Sequence, residues 1–193
     1  MKDMNILIVG VGGQGTLLAS RFLGAAAVAA GKDVKLSEVH GMSQRGGSVI
    51  TCVKIGEKIF SPIIIEGEAD IILSFEQVEA ARWLSYLKKG GTVITNTQKI
   101  NSMPVISGAV TYPEHVIEIL EKSGVTVFSL DALRIAEECG SAKAVNVVLL
   151  GVLAAQMPDV PETVWNHCLE SVIPPKVLEI NRKAFAAGRS FGK

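Results

Sequence analysis

ILIVGVGGQGTLLASRFL, residues 6–23, is an apolar run followed by four glycines in six positions and then a helix-like pattern. A short continuous apolar segment, MNILIV at 4–9, has the composition of a strand buried on both faces. Gly10, Gly12 and Gly15 fit G-x-G-x-x-G, with Gly13 and Gln14 inside the motif. In such a turn the first glycine permits the tight bend. The second lets the backbone approach a phosphate without a β-carbon, and the third lets the helix pack on the strand. The pattern predicts a helix over 14–30, whose alanines 25, 26, 27, 29 and 30 suit close packing on a sheet, with Gly31 as its stop. DVKLSEV, 33–39, reads as the next strand, so the chain opens strand, glycine turn, helix, strand.

A helix N-terminus behind such a turn offers unpaired N–H groups and a positive dipole end to an anion, so a phosphate-bearing ligand is expected there. A purely structural tight turn is the alternative. A dinucleotide would also want an acid at the end of the second strand, and Glu38 stands roughly in that place. Gln14 is unusual for a dehydrogenase turn, and no His, Tyr-Lys or Arg-His set marks a hydride-transfer site.

The second constellation is HGMSQRGGS, 40–48, just after that strand and therefore near the ligand crevice of an open α/β sheet. Here His40, Gly41, Ser43, Gln44, Arg45, Gly46 and Gly47 are candidate binding residues. Arg45 suits bidentate recognition of a phosphate or carboxylate, with the side chains of Ser43 and Gln44 and the loop amides adding hydrogen bonds. The plainer alternative is a solvated loop turned by its glycines, with His40 as a structural hydrogen-bonder. Ser43 does not sit in a G-x-S-x-G elbow, and no G-x-x-x-x-G-K-[ST] loop is present. His115 and His167 lack metal-ligand spacing, and Asn146 lies in the apolar run AVNVVLLGVL, facing either an internal partner or a site.

Further strands are expected at 48–56, 69–75, 92–97 and 125–130, with a hairpin turn at Gly56-Glu57 leading into KIFSP and an extended stretch at 108–113. An amphipathic helix is expected over 76–88, ended by Gly90-Gly91, and another over 113–123 starting at Pro113. After Asp131, a predicted N-cap, helices are expected over 131–139, 143–157, 161–171 and 174–187. These elements predict one α/β domain spanning 1–193, with a Rossmann-like, mostly parallel sheet, flanking helices and a helical C-terminal part.

Composition narrows the function. Nineteen basic and nineteen acidic side chains cancel, so no charge excess points to nucleic acid or a membrane surface. The three cysteines, Cys52, Cys139 and Cys168, are scattered and form neither a disulfide framework nor an iron–sulfur or zinc pattern. The N-terminus lacks the layout of a signal peptide, and no uncharged apolar run is long enough to span a membrane, so a cytoplasmic protein is expected.

Together, GVGGQG and EVHGMSQRGGSV resemble the gamma component of the 2-oxoacid:ferredoxin oxidoreductases, a family that takes pyruvate, ketoisovalerate or indolepyruvate. The indolepyruvate branch is the most similar, and the likeness runs through IILSFEQVEAAR at 71–82 to the helical end. The resemblance implies oxidative decarboxylation of a 2-oxoacid, first of all an arylpyruvate, with coenzyme A, giving an acyl-CoA, CO2 and reduced ferredoxin. It implies a gamma-type catalytic domain whose glycine turn, Gly10 to Gly15, takes the CoA phosphates, with His40 to Gly47 nearby or at a subunit interface. Thiamine diphosphate, its magnesium and the iron–sulfur clusters are then expected on a larger partner subunit, because this sequence lacks the G-D-G…N-N pattern and clustered cysteines. A free-standing NAD(P)-dependent dehydrogenase, a purely scaffolding subunit and an adenylyltransferase with the same glycine pattern are the alternatives.

Overall fold

The computed structural model describes residues 1–40 and 47–193. Among these, the strands are β1 (Met4–Val11), β2 (Asp33–His40), β3 (Ser48–Gly56), β4 (Ala69–Ser74), β5 (Leu87–Asn96) and β6 (Thr126–Leu130). The helices are α1 (Thr16–Ala29), α2 (Gln77–Arg82), α3 (Met103–Ile106), α4 (Val116–Lys122), α5 (Ala132–Glu138), α6 (Val145–Ala155), α7 (Glu162–Val172) and α8 (Leu178–Phe191). The strands form one sheet in the order β2-β3-β1-β4-β5-β6. β1, β4, β5 and β6 run parallel, whereas β3 is antiparallel to both β1 and β2. This is the expected mostly parallel α/β sheet with one antiparallel insertion. The β1–α1–β2 crossover leaves a gap beside β1, and β3 turns back to fill it.

Apolar side chains alternate to the two faces. Ile6, Ile8, Val53, Leu73 and Ile94 point into a core shared with α1 and α5–α8. Leu7, Val9, Cys52, Ile72 and Val93 point to a smaller core under α2 and α4. On the larger side Trp165 stacks on Phe22 with ring centroids 5.6 Å apart. Helix α6 is buried along nearly its whole length, as expected of a helix apolar all round. It lies against α8 at a separation that only glycines allow. A Cβ on Gly151 would fall 2.2 Å from the Phe185 carbonyl oxygen, and one on Gly188 would fall 1.9 Å from that of Val148.

Helix α1 ends as its glycine predicts. Gly31 takes φ 73°, and the N–H groups of Gly31 and Lys32 donate to the carbonyls of Val28 and Ala27, a Schellman closure. Asp131 caps α5, its carboxylate accepting from the Arg134 N–H at 3.0 Å. Four expectations need correction. The helix expected over 76–88 stops at Arg82, a 3₁₀ turn follows at Leu84–Tyr86, and β5 begins at Leu87. Gly90 and Gly91 therefore lie inside β5. Gly90 adopts φ 74° where the β4–β5 register shifts, so the pair makes an irregularity in a strand rather than a helix stop.

The stretch after Gly56 does not form a hairpin strand; it crosses to β4 held by side chains. The Asp33 carboxylate accepts from the Ile59 N–H at 2.8 Å, the Lys54 ammonium donates to the Ile63 carbonyl at 2.9 Å, and Glu68 accepts from the Ile65 N–H at 3.2 Å. The stretch at 108–113 follows the short helix α3 and belongs to no strand or helix. Helix α4 starts at Val116 rather than Pro113, because His115 takes a left-handed conformation, φ 55°.

Candidate functional site

The parallel strands end together at one edge of the sheet, and the glycine turn leaves β1 there. The three motif glycines have distinct jobs. A Cβ on Gly10 would lie 2.9 Å from Oε1 of Gln14 and 3.1 Å from Cβ of Phe75, so Gly10 makes room for the neighbouring side chains. Gly15 takes φ 88° at the start of α1, and a Cβ there would lie 2.6 Å from Nδ2 of Asn146 on α6. Gly12 donates its N–H to the Gly47 carbonyl at 3.0 Å, joining the turn to the residue just before β3. Between them Gly13, at φ 97°, is exposed, with nothing within 4 Å of where a Cβ would stand. That is open backbone, free for a ligand's close approach.

Gln14 has a role that its sequence position does not suggest. Its Oε1 accepts from the Val11 N–H at 2.7 Å and its Nε2 donates to the Phe75 carbonyl at 3.0 Å. One side chain thus ties the end of β1 to the residue after β4 and holds the turn in shape.

Beside the turn lies a crevice of about 350 Å³, lined by Gly13 and Gly15 of the turn and by Leu133, Lys143 and Asn146. Lys143 is exposed and has no carboxylate partner among the described residues. Asn146 is half-buried, and its side-chain amide makes no hydrogen bond among the described residues. A cation, an unengaged amide and a bare glycine backbone on one crevice form a donor set suited to a phosphate group. Neither Lys143 nor Asn146 belongs to the glycine motif. Asn146 carried a visible signal, a polar residue in an apolar run, whereas Lys143 carried none.

On the opposite face of the sheet, Glu76 is 1% exposed and fully used. Its carboxylate accepts from the N–H groups of Val78 at 2.8 Å, Glu79 at 3.0 Å and Ile100 at 3.3 Å, and from the Tyr112 hydroxyl. Burial first, and then this bond to Glu76, pushes the Tyr112 phenol well above its ordinary range. The group is a structural clamp that locks the 100–112 segment to the start of α2.

Of the remaining candidates, His40 is the last residue of β2, opposite Val49. Gly41, Ser43, Gln44, Arg45 and Gly46 lie outside the described residues. Glu38 pairs with Thr51, and Thr51 with Ile8, so a whole strand stands between Glu38 and β1. At two strand spacings, about 10 Å, the acid is not beside the glycine turn as a dinucleotide's ribose would need.

The sequence model of the family described as pyruvate ferredoxin/flavodoxin oxidoreductase matches residues 5–191. The chain belongs to this family. The resemblance read from GVGGQG and EVHGMSQRGGSV is therefore shown, and with it membership among oxidoreductase subunits. The indolepyruvate oxidoreductase subunit IorB of Thermococcus kodakarensis is 46% identical over 193 residues, covering 97% of this chain and 95% of that protein. The gamma subunit of a keto/oxoacid ferredoxin oxidoreductase from Geobacter sulfurreducens has the same fold. Its TM-score is 0.73 at 24% identity, over 98% of both chains. A 2-oxoglutarate:ferredoxin oxidoreductase chain from Magnetococcus marinus, solved with 2-oxoglutarate, coenzyme A and succinyl-CoA, contains the fold as 31% of its length. There the TM-score is 0.75 at 20% identity, and all of this chain is covered.

Among the described residues no group of three or more His, Cys, Asp and Glu is placed to hold a metal. All three cysteines are free; burial raises the Cys168 thiol above its usual range, which leaves it unreactive. No helix among the described residues is long and apolar enough to cross a membrane.

Proposed function

We propose that this family member is the smaller subunit of an indolepyruvate-type 2-oxoacid:ferredoxin oxidoreductase, and that its crevice takes the phosphate groups of coenzyme A. The observation that carries the second part is the convergence of Gly13, Lys143 and Asn146 on one crevice of about 350 Å³. The 46% identity to an indolepyruvate oxidoreductase subunit along nearly the whole length supports the first. The whole chain, 1–193, then acts as one gamma-type domain in the cytoplasm. Its larger partner carries thiamine diphosphate with magnesium and the iron–sulfur clusters, and ferredoxin receives the electrons.

In this reading the chain performs no bond-breaking step. Gly13 lets the phosphate approach the turn, Lys143 neutralises its charge, and Asn146 donates from beside Gly15. Gly47 is tied to Gly12 at the turn, and Arg45 supplies a further anion contact.

The test is steady-state kinetics on the assembled two-subunit complex. Lys143→Ala is expected to raise KM for coenzyme A about tenfold while leaving KM for the 2-oxoacid within about twofold, as loss of one charge-assisted contact predicts. Equal CoA affinity in the wild type and this variant would leave the chain a scaffolding subunit.

A further inference from the structure

The face of the sheet that carries α2 and α4 is clad only in part. By register Val9, Ile50 and Val39 form one row on that face, and Val39 at the outer strand is 59% exposed. Val9, at the β1 end of the row, is buried under α2, whereas among the described residues no helix covers the row's outer end on β2. Sheets in parallel α/β folds are normally covered on both faces.

Next to this row lies a groove of about 320 Å³ between α2 and the 100–113 segment, reaching Val11 and Ser48. Val78, Ile100, Val105 and Val110 give it apolar walls. Its surroundings are apolar too, with Met103 58%, Ile106 64% and Val110 53% exposed. Among the described residues one cation lines it. Arg82 donates from Nε to the Glu79 carboxylate at 3.0 Å, and Glu79, 5% exposed, also accepts from the Ser48 hydroxyl. The guanidinium is thereby oriented, yet its two terminal amino groups have no partner among the described residues. The two acids on the groove, Glu76 and Glu79, are already engaged.

We infer that this groove and the exposed β2 end of the row dock a segment of the larger subunit that presents an apolar side chain beside an aspartate or glutamate. The inference rests on the subunit reading above. Charge complementarity selects the carboxylate, since an oriented guanidinium with a free fork pairs best with a bidentate acceptor. The exposed valines, Met103 and Ile106 select the apolar neighbour. The larger subunit is the occupant because in the Magnetococcus marinus enzyme the same fold forms only 31% of a longer chain, so that there it is joined covalently to the remainder. The groove also abuts Val11 and Ser48, which belong to the two sequence motifs, so docking there would set the glycine turn beside the larger subunit.

The experiment is the affinity of the two purified full-length subunits for each other, measured for the wild type, Arg82→Glu, Val110→Asp and, as control, Lys176→Ala at an exposed position between α7 and α8. Thermal unfolding of each variant separates misfolding from lost docking. Arg82→Glu and Val110→Asp are expected to weaken association about thirtyfold or more, the scale of interface hot spots, and Lys176→Ala by less than about threefold. Hydrogen exchange on the wild-type complex is expected to show protection of 76–82 and 99–113. If the wild-type subunits associate but both variants bind within about twofold of it, with no protection of these segments, the docking inference falls and the subunit reading stands. If the wild-type subunits do not associate at all, both fall. Protection of the groove by coenzyme A or a 2-oxoacid without the larger subunit would also overturn the inference.

Discussion

Gly12 donates its backbone N–H to the carbonyl of Gly47 at 3.0 Å, so the two motifs, 35 positions apart in sequence, meet in one hydrogen bond. The contact exists because β3 lies directly against β1, with Val11 opposite Ser48 at the last rung of the ladder. The glycine turn and the loop before β3 are two extensions of one strand pair. The Gly12 amide is therefore expected to exchange with solvent more slowly than that of Gly13, which has no acceptor among the described residues. Residue-resolved exchange by NMR checks this, and equal rates would mean that the junction is not kept in solution.

Gln14 supplies the second restraint on the turn, and its removal has a calculable cost. Gln14→Ala takes away the acceptor of the Val11 N–H and the donor to the Phe75 carbonyl. A buried backbone group left without a partner costs about 1–3 kcal/mol, so a loss of about 2 kcal/mol in denaturant unfolding is expected. Gln14→Glu keeps the acceptor but sets a carboxylate oxygen against the Phe75 carbonyl, so it is expected to be no more stable than the alanine variant. If the glutamate variant matched the wild type, the bond to Phe75 would contribute nothing.

The packing of α6 on α8 predicts the largest single losses of stability. At both Gly151 and Gly188 a new methyl group would meet a backbone carbonyl well inside contact distance. Backbone cannot swing aside as a side chain does, so the helices must separate. Overpacking typically costs about 1–3 kcal/mol, and each alanine variant is expected to lose at least about 3 kcal/mol. Gly13→Ala, with open space around its new methyl, should lose only the strain of its left-handed backbone, about 1 kcal/mol. Thermal or urea unfolding of the three variants checks the order, and comparable losses at Gly13 and Gly188 would contradict the packing.

The elements that sequence reveals are those fixed by local chemistry. MNILIV, the glycine turn, Gly31 and Asp131 each act within a few residues, and each is where the pattern puts it. What escaped the pattern depends on distant partners. Gly90-Gly91 has the look of a helix stop, and only the pairing of β5 with β4 makes it a strand irregularity. The place of β3 between β1 and β2 is a choice of partner that no periodicity encodes, and it moves Glu38 away from the turn. At the site, the glycine turn was legible, but the pattern gives the open approach to Gly12, whereas the Gly12 N–H is bonded to Gly47 and Gly13 is the open residue. Lys143 was not legible, because it reaches the crevice from an element more than a hundred residues later.

The crossing between β3 and β4 is expected to be the part most sensitive to acid. The Asp33 carboxyl is held below its ordinary range by the Lys35 ammonium first and the Ile59 N–H second. The Glu68 carboxyl is held down chiefly by the Ile65 N–H, with help from Lys54. A depressed value in the folded chain means that, in acid, the unfolded chain binds more protons. Stability therefore rises with pH across that window. The contribution is complete above the unfolded values of about 4 and is lost as pH falls through the depressed folded ones. Asp33→Asn and Glu68→Gln remove the titrating groups. The double variant is expected to be less stable than the wild type near pH 6 and to show a shallower decline toward about pH 3. Urea unfolding across that range measures both slopes. Parallel slopes would show that these two carboxylates do not set the acid limit, and the 57–68 crossing would then have to be held by its apolar anchor, Ile64, instead.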